Sequence, residues 1–465
     1  MSNLNRDILY LIFKQLQDDK RTLLSCLLVN KTWCETTVPI LWKNPWNLLK
    51  NENETLLLSV IISHLSNLSR NKIGEHKLLI NSNQKPTFNY IIHCKHLDLD
   101  AILMMINKNF EKSRVLDAQN EIFNLFINEN MNFTHLYIRK NFDNQIQFIH
   151  GAERCFSGIK FLSCDTGIND NIVSKLTETC KLIKELQLFI SNVNYGIVKL
   201  IESQGKLLNI DLSSFLFDYE SSHKIYENSL IKHASTIQCC RITRQPSIKF
   251  LSSFVNLKEL ELGSATSTIT SWSCLGNLSF PFLQILRSSS VPIGALTCLI
   301  KNTSRFLTEI KIDYVGHDEM GNKFLIQAIY QNCPNLKYLK IMVRYCNILE
   351  LETLLISCQY LDGLFLIVND YDRRDFWNEL FKVLTKSSSI KLFKFKFYSY
   401  ELPRLNSLKL FFDNWRGRHP MLLQFISDKT INLKLIERYK AEGIIKKFDY
   451  DYIWGKRTYK NFEWI

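Results

Sequence analysis

The chain has 465 residues, 46% hydrophobic and 22% charged, with a formal net charge of +13. That balance excludes a disordered chain, and the length exceeds what one hydrophobic core fills, about 250–300 residues. The longest apolar patch, 56–62, falls far short of the roughly 20 residues that a bilayer requires. The basic residues are scattered. Their local clusters are small, such as Arg373-Arg374, Lys446-Lys447 and Lys456-Arg457, so the dense basic arm that grips nucleic acid is not expected. Thirteen cysteines is an odd count. Residues 1–13 include acidic Asp7 and lack an apolar core after a basic start, so a secretory signal is not expected. The thiols are expected as small core residues in a reducing compartment, cytoplasmic or nuclear.

Residues 2–46 carry three short helical patterns. The first places Ile8, Leu9, Ile12, Phe13 and Leu16 at helical spacing, with Asn3 or Asn5 able to cap it. The second, over about 22–29, is apolar nearly all round: Leu23, Leu24, Cys26, Leu27 and Leu28. A helix without a polar face is covered on more than one side. The third starts after Asn30 and carries Trp33, Val38, Ile40, Leu41 and Trp42. A segment this short cannot bury so much apolar surface alone, since cores below roughly 40–60 residues are marginal. The surplus needs either the rest of the chain or a partner.

The order of these residues is informative. Leu4-x-x-Asp7-Ile8-Leu9-x-x-Ile12-Phe13-x-x-Leu16, then Leu24-x-Cys26-Leu27-x-Val29-Asn30-Lys31-x-Trp33, then Leu41-Trp42, resembles the F-box. The match covers residues 1–46, about a tenth of the chain. Asn5 stands where that family usually has Pro; either residue can begin a helix. The resemblance implies a three-helix module that docks onto the Skp-type adaptor of a cullin–RING ubiquitin ligase. It implies adaptor contacts at Leu4, Asp7, Ile8, Ile12, Phe13 and Leu24. The module's own core would be Leu16, Leu27, Val29, Trp33, Leu41 and Trp42.

Further along, 47–66 reads as one helix with Leu56, Leu57, Val60, Ile61 and Leu65 on its apolar side, and 73–85 as a loop. Together 47–89 is expected as a helical linker and N-terminal cap. From about residue 90 to 402 a short unit recurs. Three copies are clear: Cys180-x-x-Ile183-x-x-Leu186-x-Leu188, Cys333-x-x-Leu336-x-x-Leu339-x-Ile341 and Cys358-x-x-Leu361-x-x-Leu364-x-Leu366. The frame returns without Cys at Leu207, Leu257 and Leu307, and more weakly at Ile237 and Leu283, at intervals of 20 to 30 residues. Phe133, Phe156 and the run Phe393-Lys394-Phe395-Lys396-Phe397 extend the series.

This period with Leu-x-x-Leu-x-Leu resembles the leucine-rich repeat, in the cysteine-containing form found in many F-box proteins. The implied fold class is α/β. An N-terminal three-helix F-box is followed by a curved solenoid, with parallel strands on its concave face and helices on its convex face. Alternate strand residues point inward and the rest to solvent. Returning helices are expected over 171–179, 224–232, 293–301, 323–331 and 375–385. Residues 403–465 depart from the period. Helices are expected after Pro403 and over 431–442, followed by an aromatic tail with Tyr450, Tyr452, Trp454, Tyr459 and Trp464. The segment is expected as a C-terminal cap.

Catalytic signals are weak. His93-Cys94-Lys95-His96 is the densest ligand-type cluster, but a metal needs further ligands, and there is no Cys-x-x-Cys. Cys239 and Cys240 would point to opposite faces of a strand. No Gly-x-Ser-x-Gly elbow or phosphate-binding Gly-rich loop occurs, so neither an enzyme site nor a cofactor is expected. Outward positions of the strands are Glu259, Glu261, Glu309, Lys311, Tyr338, Lys340, Phe365, Lys394 and Lys396. Of these Tyr338, Lys340, Phe365, Lys394 and Lys396 are the candidate contacts to an unknown protein target. By resemblance, the chain would be the non-catalytic substrate receptor of an SCF-type ligase. The alternatives are a repeat scaffold with no ubiquitin role, or a nucleic-acid binder with salt-dependent affinity.

Overall fold

The structure is a computed structural model that describes residues 4–49, 53–74, 86–139, 146, 149–214, 220–263, 272–303, 305–313, 318–368 and 375–452. Trp454, Tyr459, Trp464, Lys456-Arg457 and Arg373-Arg374 lie outside the described residues. The chain divides into two compact units, Met1–Asn209 with Phe217–Ser229 and Ile210–Leu216 with Leu230–Ile465.

The first unit begins with three short helices, α1 (Arg6–Gln15), α2 (Lys20–Cys26) and α3 (Lys31–Leu41). Helices at Glu54–Ser63 and Asn67–Ile73 follow. The helix expected over 47–66 is found, shortened to Glu54–Ser63. A 3-10 turn at Pro45–Leu48 precedes it, and beyond it Ser66 caps the next helix by accepting from the Ser69 N–H at 3.1 Å. Strands then alternate with helices: β1 (His96–Asp98), β2 (His135–Ile138), β3 (Phe161–Asp165) and β4 (Glu185–Ile190), while β5 (Asn209–Ser214) falls in the second unit from its second residue on. Cys94 precedes β1 and is fully buried, so it does not share a strand face with His96.

The second unit continues with β6 (Cys239–Ile242), β7 (Glu259–Leu262), β8 (Ile285–Ser288), β9 (Glu309–Ile312) and β10 (Tyr338–Val343). It ends with β11 (Gly363–Val368), β12 (Lys394–Tyr398), β13 (Met421–Ile426) and β14 (Ile445–Asp451). Within each unit neighbouring strands in chain order pair in parallel, β1 to β4 in the first and β6 to β14 in the second. Helices found at Asp170–Thr179, Glu220–Ile231, Ile293–Asn302, Glu319–Asn332 and Phe376–Ser387 sit where the spacing between strands expects them. Among the described residues no helix is long and apolar enough to cross a membrane.

One hydrogen-bond device recurs at the strand entrances. Two successive N–H groups donate to one carbonyl of the preceding repeat. Lys337 and Tyr338 donate to Thr308, Asp362 and Gly363 donate to Lys337, and Gln284 and Ile285 donate to Lys258, all within 3.1 Å. The frame leucines Leu207, Leu257, Leu283, Leu307, Leu336 and Leu361 lie buried behind this seam. The frame cysteines join the same core. The Cys180 thiol donates to the Phe156 carbonyl at 3.4 Å, and the Cys358 thiol to the Cys333 carbonyl at 3.6 Å. Burial pushes Cys180 up to about 11 and both Cys333 and Cys358 up to about 12, so these thiols stay protonated and act as packing groups.

The segment after residue 402 corrects the sequence expectation. The helix Leu405–Asp413 follows Pro403, and Leu433–Ala441 ends at Gly443, which adopts φ +75°. Between and after them lie β13 and β14, two further members of the same sheet. Pro420 occupies the leading apolar position of β13, which hides the frame there. Ile445-x-x-Phe448-x-Tyr450 does carry the frame in β14. The core here is aromatic. Trp377 and Phe381 pack on Phe397 at 5.6 and 5.9 Å, and Phe411 and Trp415 on Phe395 at 5.8 and 5.1 Å. Helices therefore cover the sheet face that bears Phe395 and Phe397.

Candidate docking surface

Each of the first three helices is started by its own cap. The Asn5 side chain accepts from the Asp7 N–H at 3.2 Å, Asp19 from Thr22 at 3.2 Å, and Asn30 from Trp33 at 2.9 Å. Inside the bundle, Leu9, Phe13, Leu23 and Cys26 form one cluster, with Leu16, Trp33, Ile40 and Leu41 packed against it. The Phe13 and Trp33 rings meet edge to face at 5.1 Å. Arg6 and Glu35 tie α1 to α3 at 3.4 Å.

The C-terminal end of α3 holds the bundle to the first strand. Trp42 stacks on Tyr90 at 4.7 Å. The Trp46 Nε1–H donates to the His96 carbonyl at 2.6 Å, and the Lys95 N–H to the Lys43 carbonyl at 2.9 Å. His96 and His135 stack face to face at 3.7 Å below this joint. Burial, then the neighbouring charges, pushes His96 down to about 3 and His135 down to about 4. Both rings are therefore neutral near pH 7, which a face-to-face pair at that distance requires.

This attachment leaves one side of the bundle uncovered. Leu4, Ile8, Tyr10, Leu11, Ile12, Leu24, Leu28 and Val29 expose between 43% and 89% of their surface. Ile8, Leu11 and Ile12 stand at i, i+3 and i+4 and so form one stripe on α1. Leu24 adds to it from α2, and Leu28 and Val29 follow just past that helix. Eight large apolar side chains within 26 residues stay exposed, and a contiguous apolar patch of this kind marks an interaction site.

The expected site residues divide accordingly. Leu4, Ile8, Ile12 and Leu24 lie on the exposed side, and Asp7 is exposed in the first turn of α1. Phe13 does not: it is 1% exposed, because it falls four residues after Leu9 on the inner stripe. Among the expected core residues Leu16, Trp33 and Leu41 pack in the bundle. Leu27 is half-buried, while Val29 is exposed, because α2 ends at Cys26 and Val29 lies beyond its last turn. Trp42 turns to Tyr90 instead of the bundle. Leu11 and Leu28 were missed, although the i, i+3, i+4 spacing around Leu11 was legible.

The expected target contacts on the sheet fare differently. Lys340, Phe365 and Lys396 are buried, at 5%, 3% and 2% exposure. The Phe365 ring lies between two ammonium groups, Lys340 Nζ at 4.7 Å and Lys396 Nζ at 4.9 Å. Met342, Ile367 and Ile426 bury with Phe365 as a second apolar cluster, against which Tyr398 packs. Tyr338 and Lys394 are half-buried, with Lys394 Nζ 3.3 Å from the Tyr338 hydroxyl. Their contact crosses Gly363, where an added Cβ would stand 2.9 Å from the Tyr338 ring. Toward β6 the same face carries a charge ladder around a cavity of about 420 Å³. Arg241 pairs with Asp211 and Glu261, Arg287 with Glu259 and Glu309, Lys311 with Glu309, and Lys340 with Asp313. Burial pushes the Lys311 ammonium down, and its bond to Glu309 opposes that. The cations of this ladder are thus already neutralised by their own carboxylates.

No family model and no curated protein matches this chain. The assignment of a role therefore rests on the chain's own residues. Two features stand out: an uncovered apolar side at the N-terminus, and a sheet face that satisfies itself.

Proposed function

We propose that this chain is the substrate-recognition subunit of an SCF-type ubiquitin ligase. Its N-terminal helices, an F-box, bind the Skp-type adaptor, and its leucine-rich repeats hold a protein target. The mechanism is proximity. Holding both partners on one chain raises the local concentration of target lysines near the charged ubiquitin-conjugating enzyme. The transfer chemistry belongs to other subunits, and this chain supplies binding alone.

The observation that carries the proposal is the apolar side of α1 and α2 that no part of the described chain covers. Docking of a partner there would remove Leu4, Ile8, Leu11, Ile12, Leu24 and Leu28 from water, each contributing on the order of 1–3 kcal/mol before association costs.

Co-expression with the adaptor tests it. The wild-type chain should co-purify, and the double variant Ile8→Asp with Ile12→Asp should not, while its melting temperature stays close to wild type because both positions face solvent. Failure of the wild type to bind, or equal capture of the variant, removes the ligase reading. A repeat scaffold without a ubiquitin role would then remain.

A further inference from the structure

In the second unit, the position just ahead of the first frame leucine is held by Phe282, Phe306, Asn335 and Tyr360 in four successive repeats. The three aromatic residues are half exposed or more, where the neighbouring leucines are fully buried. Adjacent strands lie about 4.8 Å apart, so Phe306 and Tyr360, two strands apart, stand on the order of 10 Å from each other. Asn335 between them is short, and its Nδ2 is turned down onto the Arg305 carbonyl at 3.2 Å. The result is a slot between two rings. It belongs to an open groove of about 690 Å³ that Lys337, Asp362 and Lys391 also line.

The charges of this groove differ from those of the sheet face. Among the described residues neither Lys337 nor Lys391 has a carboxylate at ion-pair distance, whereas Lys311 and Lys340 each have one and Arg241 and Arg287 two. Lys391 Nζ instead rests 4.5 Å from the Tyr360 ring centroid. Asp362, half-buried at the strand entrance, is the one acid lining the groove among the described residues.

We propose that this groove grips an extended acidic segment of the target. One aromatic or branched side chain lodges between Phe306 and Tyr360, and carboxylates on either side of it face Lys337 and Lys391. An α-helix is about 10–12 Å across with its side chains, too wide for the slot, whereas an extended chain presents single side chains to it. The proposal rests on the substrate-receptor reading and supplies the chemistry of the target that the reading leaves open.

The test uses the full chain purified with the adaptor and a fluorescein-labelled random copolymer of glutamate and tyrosine, read by fluorescence anisotropy at about 0.15 M salt. Plain polyglutamate and a lysine–tyrosine copolymer are the comparison probes. The glutamate–tyrosine copolymer should bind about tenfold more tightly than polyglutamate, and the lysine–tyrosine copolymer should not bind. Phe306→Ala with Tyr360→Ala should bring binding down to the polyglutamate level. Lys337→Glu with Lys391→Glu should abolish it, while Lys446→Glu with Lys447→Glu, equal in charge but on β14, should change it by less than about twofold. No preference for the tyrosine-containing acid, or an equal loss in the β14 pair, overturns the proposal. Adaptor capture is scored in the same preparation, so loss of the groove and loss of the ligase reading register separately.

Discussion

The N-terminal helices and the outward face of the sheet were both expected to offer side chains to a partner, and they meet opposite fates. Ile12 on α1 keeps 43% of its surface exposed, while Phe365 on β11 keeps 3%. The cause is geometric. Helix α1 has apolar residues on two stripes, and the bundle can cover only one of them. On a sheet, outward side chains of neighbouring strands stand about 4.8 Å apart and cover one another when they are long. Lys340, Phe365 and Lys396 do so in one row, and Met342, Ile367 and Ile426 in the next. A large residue at an outward strand position is therefore weak evidence of a contact surface. An apolar residue on the spare stripe of a helix is stronger evidence.

The sharpest way to break this comparison is to alter neighbours on α1. Phe13→Ala should destabilise the N-terminal helices by about 3–5 kcal/mol, because it empties the ring site against Trp33. Ile12→Ala, one residue away, should cost less than about 1 kcal/mol. Urea denaturation of both variants measures the difference, and equal losses would mean that the spare stripe is not spare. On the sheet, Gly363→Val should cost about 1–3 kcal/mol, since its Cβ meets the Tyr338 ring. Tyr338→Ala should recover part of that loss in a double-mutant cycle, and strict additivity would remove the steric explanation.

The smallest effect concerns pH. His96 and His135 have folded values of about 3 and about 4, below the ordinary 6.5. The unfolded chain therefore binds their protons more readily, and stability falls as pH drops from about 6.5 toward about 3. The melting temperature of the wild type should decline across that window. His135→Phe, which keeps a ring in the stack and removes one titration, should flatten the decline. An unchanged slope would show that this pair does not drive it.

Much of this architecture was legible before any coordinates. The frame around Leu336 and Leu361, the helices between strands, the choice of Asn3 or Asn5 as first cap and the helix start after Asn30 all follow from local pattern. β13 was hidden because Pro420 takes the place of its leading leucine. β14 was missed although Ile445-x-x-Phe448-x-Tyr450 carries the frame. The helix expected over 47–66 is shorter than its apolar pattern, Glu54–Ser63, and Ser66 beyond it caps the next helix on Ser69. In the candidate docking surface Leu11 was open to inference from its spacing. The burial of Phe13 needed knowledge of which stripe α3 covers.

By itself the sequence determined the alternation of strand and helix, the inward rows of leucine and the positions of the caps. These depend on residues within a turn or a strand of one another, and period and side-chain chemistry are enough to set them. Only the tertiary structure decided which outward side chains remain available. Phe365 is enclosed by lysines 25 and 31 residues away in sequence, while Phe306 and Tyr360, just ahead of their frame leucines, stay at least half exposed. Exposure is a property of neighbours brought together by folding, and no window along the chain contains them all.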